Sequence, residues 1–144
     1  MGKENRRAPR FESNLPVTLT FMESEGKVIG EPVLGSINDI STFGARVTVP
    51  RIKSGELHIF YSFNDNEDRV INLEVVDIEF TRKLIIPAQP VWFDHMLTTP
   101  NRPFQLGLEF ITDPGNPDVS RVHKLVTDQK NIGKNWFQKL FAIG

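Results

Sequence analysis

A chain of 144 residues with 39% hydrophobic and 24% charged residues is long enough for one domain with a real core, and it reads as globular and not disordered. Its net charge of −1 argues against a surface that attracts nucleic acid or anionic lipid everywhere, and the absence of cysteine excludes disulfides and thiolate metal sites. No apolar run approaches the roughly 18 residues of a membrane span and no signal-peptide core opens the chain, so a cytoplasmic location is expected.

The first ten residues hold Lys3, Arg6, Arg7 and Arg10 against Glu4, a surplus of three positive charges that leaves −4 for the remainder. This stretch is too short and polar to fold alone, and residues 1–13 read as a flexible basic arm. "LPVTLTFM" then alternates apolar and polar residues as a strand does, and "ESEGKVIGEP" reads as a hairpin loop. "VLGSINDIS" predicts a second strand that ends in a polar corner at Asp39, Ser41 and Gly44. "GARVTVP" predicts a third strand stopped by Pro50, and "LHIFYSF" a fourth.

In "RVINLEVVDIEF" the apolar parity changes between Val75 and Val76, which predicts a bulge or short kink near there. "LIIPAQPVWF" and "FQLGLEFI" complete the extended segments. After the turn at Asp113-Pro114-Gly115, Asn116 is suited to cap a helix and Pro117 to begin it, with Val119, Val122, Leu125 and Val126 at helical spacing. Gly133 is expected to break that helix, and Trp136, Phe137, Leu140 and Phe141 to form one apolar stripe on a short second one. Such a stripe packs on its own barrel, or it docks a second copy in a homodimer, another protein or a membrane surface. Short strands followed by helix point to an all-β barrel or sandwich over residues 14–114 and a helical segment over 115–144.

Catalytic apparatus is not visible. His58, His95 and His123 lack partners at metal-ligand spacing, and the sequence holds no nucleophile elbow, phosphate loop or zinc-protease motif. A binding protein is therefore expected, with no catalytic residues and neither metal nor cofactor.

Two short motifs carry binding chemistry. Arg6 and Arg10 are spaced as R-x-x-x-R, and a guanidinium is a planar fork of donors that fits phosphate oxygens or the edge of guanine. Alone, the arm also reads as a solubilising tail. Asp39-x-Ser41-x-x-Gly44 is a corner where short polar side chains can hydrogen-bond and glycine permits close backbone approach.

In this order, 28 residues apart, the two motifs resemble those of the PilZ domain, the bacterial receptor module for cyclic di-GMP. The resemblance implies a six-stranded antiparallel β-barrel with a C-terminal helix, here followed by a short helical tail. It implies cyclic di-GMP as ligand. Arg6 and Arg10 would contact phosphates and guanine edges, Asp39 would accept from guanine N1–H and N2, Ser41 would add a hydroxyl, and Gly44 would let the ligand lie against the backbone. Arg7 and Arg46 are secondary candidates. A conformational change relayed to a downstream protein partner, in motility or biofilm regulation, completes what the resemblance implies. Two alternatives stay open: a PilZ-like adaptor that binds protein without nucleotide, and an OB-like binder of single-stranded nucleic acid, which the acidic body disfavours.

Overall fold

The structure, a computed structural model, describes residues 13–142, with side chains through residue 131. Its strands are β1 (Leu15–Glu23), β2 (Lys27–Ile40), β3 (Gly44–Val49), β4 (Lys53–Ser54), β5 (Leu57–His58), β6 (Arg69–Asp77), β7 (Arg82–His95) and β8 (Phe104–Phe110). Helix α1 spans Pro117–Ala142. Six strands close into an antiparallel barrel in the order β1-β2-β3-β8-β7-β6, and β1 pairs with β6 to complete the ring.

Alternation decides which residues face the interior. Val17, Leu19 and Phe21 of β1, Ile71, Leu73 and Val75 of β6, and Leu106, Leu108 and Phe110 of β8 all point into the core. The segment between β5 and β6 adds Ile59 and Phe63, both fully buried, with the Phe63 ring 5.3 Å from that of Phe21. Helix α1 covers the barrel with Val119, Val122 and Val126, spaced three and four apart on one face.

The start of α1 is built as its sequence suggests. Asn116 Oδ1 accepts from the N–H groups of Asp118 (2.9 Å) and Val119 (3.2 Å), satisfying two donors that a helix end leaves open. One turn on, Arg121 reaches Asp77, which occupies the inward parity at the end of β6 and is fully buried. Arg121 Nε donates to Oδ2 at 2.7 Å and Nη2 to Oδ1 at 3.1 Å, a two-pronged pair. These bonds hold the Asp77 carboxyl below its usual range despite desolvation, with the charge of Arg121, the Phe80 N–H and Arg82 adding to the effect.

Four expectations are corrected. The β1–β2 turn is only Ser24–Gly26, with Glu25 and Gly26 at positive φ, so most of the expected loop is strand. The extended start of β2 is tolerated because Gly30 has φ +66° and Ser54 Oγ both donates to Glu31 O and accepts from Glu31 N–H, each at 2.7 Å. The fourth strand stops at His58, whose Nδ1 accepts from the N–H groups of Phe60 (3.1 Å) and Tyr61 (3.0 Å) and turns the chain away from the sheet.

The bulge expected at Val75–Val76 does not exist. The β6–β7 register runs unbroken from Ile71↔Ala88 to Asp77↔Arg82, and Val76 and Ile78 are exposed instead. Finally, α1 passes through Gly133 without a break. One glycine costs a helix about 1 kcal/mol relative to alanine, too little to end it.

Candidate functional site

Three of the five primary site residues lie together at the β2–β3 corner. Ser41 Oγ accepts from the N–H groups of Phe43 (3.1 Å) and Gly44 (3.3 Å), while Ser41 N–H donates to Gly44 O at 2.8 Å. The hydroxyl thus holds the turn and remains exposed to solvent. Gly44 is required by packing: a Cβ there would strike the carbonyl oxygen of Leu108 in β8. The close approach expected of this glycine is made first by its own neighbouring strand.

Asp39 sits beside them with its carboxylate already engaged. Oδ1 accepts from Lys130 Nζ of α1 at 2.8 Å and from the Ile40 N–H at 3.1 Å. Partial burial pushes its pKa upward, but the Lys130 hydrogen bond and charge, the Ile40 N–H and the Arg46 charge outweigh it and keep the carboxyl below its ordinary value of 3.8. Arg46 lies directly across the ladder from Asp39. Arg6, Arg7 and Arg10 lie outside the described residues, as do the side chains of Trp136, Phe137, Leu140 and Phe141.

The ladders extend this pair into a row. Asp39 of β2 pairs with Arg46 of β3, Arg46 with Gly107 of β8, and Gly107 with Trp92 of β7. All four line one open pocket of about 290 Å³ on the outside of the barrel, together with Ser41 and Gly44. Gly107 is the floor of the row. A Cβ at this position would collide with the Trp92 indole, which lies down on the bare backbone. The row therefore sets a carboxylate and a guanidinium beside a partly exposed aromatic ring.

Trp92 and Gly107 are not recognisable as site residues from the sequence because a bulge in β7 brings them together, and a second bulge, in β2, sets the facing of Asp39. In β7, Leu84, Ile86 and Ala88 face inward, so strict alternation would send Trp92 into the core. The register shifts between Pro90 and Trp92, leaving Val91 as an extra residue and turning the indole outward onto Gly107. In β2, Val33 and Ile37 face inward, and alternation would bury Asp39. A shift between Ile37 and Asp39 makes Asn38 the extra residue and leaves Asp39 in the pocket wall.

Asn38 is a third residue that sequence reasoning missed. It is buried, its Nδ2 donates to Ser13 O (3.2 Å) and Asn14 Oδ1 (3.4 Å), and its Oδ1 accepts from Thr48 Oγ1. Ser13 N–H returns a bond to Asn38 O at 3.4 Å. The root of the basic arm is thereby fastened one residue from Asp39. The adjacent Asn38-Asp39 pair was the available signal, since only one of the two fits the motif and the other had no assigned task.

No helix among the described residues is long and apolar enough to cross a membrane. The family model described as PilZ domain matches residues 4–128. Among solved structures, the PilZ domain with c-di-GMP of YcgR from Escherichia coli is similar, with a TM-score of 0.55 and 13% identity over 93% of this chain and 99% of that one. At that identity the likeness is one of fold. No curated protein sequence matches significantly.

Proposed function

Because the chain belongs to the PilZ domain family, whose members are non-catalytic binding modules, we propose that it is a receptor for cyclic di-GMP that grips the nucleotide between the arm and the Asp39–Arg46–Gly107–Trp92 row. That row is the observation that carries the reading. Guanine presents N1–H and an N2 amino group side by side, and the Asp39 carboxylate is an acceptor matched to them. Arg46 offers a fork of donors to phosphate oxygens or to the other guanine edge. Trp92 supplies a face on which a base can stack, and the bare Gly107 leaves the depth for it.

Arg6 and Arg10 would close the clamp from the arm. Arg10 is three residues from Ser13, so the covalent chain limits their Cα separation to about 10 Å. Ser13 is pinned beside Asn38, one residue from Asp39, so a clamp formed by the arm would start next to the pocket. Ser41 and Gly44 shape the corner, with Arg7 as a further cation for the phosphates. Closing of the arm would change the surface offered to a downstream protein, the means by which a receptor without catalysis transmits a signal.

Calorimetric titration with cyclic di-GMP tests this. Wild type should bind saturably, and Arg10→Ala and Asp39→Asn should each lose on the order of 1.5–3 kcal/mol, the worth of one charge-assisted contact. Absent wild-type binding, or equal affinities for all three proteins, would overturn the reading.

A further inference from the structure

Two consecutive residues of α1 hold both halves of the site. Gln129 Oε1 accepts from Ser13 Oγ (2.6 Å) and from the Asn14 N–H (2.7 Å), fastening the root of the arm. Lys130 Nζ donates to Asp39 Oδ1 at 2.8 Å, fastening the motif carboxylate. The apolar grip of α1 on the barrel is made earlier, by Val119, Val122 and Val126. At residues 129 and 130 the helix is held by polar bonds at its half-exposed flank, the kind of contact that can exchange partners.

Asp39 Oδ1 already accepts two bonds, from Lys130 and from Ile40 N–H. A carboxylate oxygen has two lone pairs, so a guanine edge that donates to both oxygens needs one of these bonds to yield. The Ile40 N–H is fixed by the backbone beside Asp39. Lys130 ends a flexible stem and keeps about a third of its side chain in solvent, so it is the donor that can leave.

Resting on the assignment of Asp39 as the guanine acceptor, we propose that Lys130 is an internal competitor for the nucleotide and that α1 is the element ligand binding releases. Nucleotide and helix contend for one carboxylate. When guanine takes it, Lys130 lets go, and the half-exposed flank of α1 loses its tether to β2. Residues 129–130 then leave the barrel while the apolar anchor at Val119–Val126 holds. The output of the domain is the altered course of α1 beyond that anchor.

Two measurements on the full chain test the latch. Calorimetry with cyclic di-GMP should find Lys130→Met binding about two- to fivefold tighter than wild type, the gain expected from removing one exposed ion pair that opposes the ligand. Unchanged or weaker binding by this variant, with wild-type binding intact, overturns the proposal; weaker binding would make Lys130 a ligand contact. Amide hydrogen exchange supplies the second readout. Nucleotide should speed exchange at residues 127–131 of wild type, and unchanged or slower exchange there overturns the proposal.

Without nucleotide, Lys130→Met and Asp39→Asn should each raise exchange in the same segment, and the double variant no further. Independent effects would overturn the latch. This ligand-free comparison also separates the two ideas: if wild type binds no nucleotide, the receptor reading fails, whereas the Lys130–Asp39 tether is still decided by exchange.

Discussion

Replacing Gly107 by alanine tests the geometry of the pocket without touching any group that could bond a ligand. The new methyl would enter space held by the Trp92 indole, and the three atoms nearest to it all belong to that ring. The indole must therefore tilt off the strand. Trp92 is 42% exposed, so more than half of its surface is covered. With roughly 250 Å² for the whole side chain, about 145 Å² is buried, worth at most about 3.5 kcal/mol at ~25 cal/mol per Å². Losing the ring face that rests on Gly107 removes about half of this. Gly107→Ala should accordingly cost about 1.5–2 kcal/mol.

The sign should reverse once the ring is gone. In a Trp92→Ala background the methyl has room, and alanine in a strand is favoured over glycine by about 0.5–1 kcal/mol. Urea unfolding of the wild type, both single variants and the double variant gives this coupling directly. Emission from Trp92, read in a Trp136→Phe background since the chain has two tryptophans, should shift to the red in Gly107→Ala. Equal stability of Gly107→Ala and wild type, or the same cost with and without the indole, would refute the stacking of Trp92 on the bare backbone.

Two further predictions concern protons. His58 accepts two N–H bonds through Nδ1, and burial first, then the nearby Lys53 charge, lower its pKa from 6.5. The unfolded chain takes up the proton first, so this contribution is intact above pH 6.5 and declines as pH falls toward the lowered folded value. Urea midpoints at pH 7.5 and 5.5 should differ less in His58→Asn than in wild type; an identical difference would count against it. Asp77 has its pKa lowered by Arg121, so its contribution is present above pH 3.8 and lost as acid titrates the folded carboxyl. Asp77→Asn should lower the melting temperature at pH 7 and flatten its fall below pH 4, and an unchanged acid limb would remove Asp77 as a cause.

How far the sequence reveals this molecule varies with the kind of signal. The all-β barrel, the Asn116 cap and the helical core positions were legible because period, composition and capping chemistry are local. The Asp39 corner was legible as a motif. Parity was the weak guide: the change at Val75–Val76 marked the end of a strand and the start of an exposed turn, not a bulge. The real shifts at Asn38 and Val91 leave no gap in apolar character that one strand can show. They become visible only when each strand is set against its partner. The same holds for Lys130, ninety-one positions from Asp39, whose pairing depends on where α1 crosses the barrel.

The two extra residues add length to the site in unequal ways. Val91 carries no bond into the pocket, and many side chains could stand there. Deleting it would remove the bulge and set Trp92 directly after Pro90, still outward opposite Gly107, with Phe93 still inward. Removing Asn38 would likewise leave Asp39 opposite Arg46, but it would take away the bonds to Ser13, Asn14 and Thr48. Position 91 is therefore expected to tolerate loss as well as substitution, whereas relatives should keep at position 38 a side chain able to hold Ser13 and Asn14.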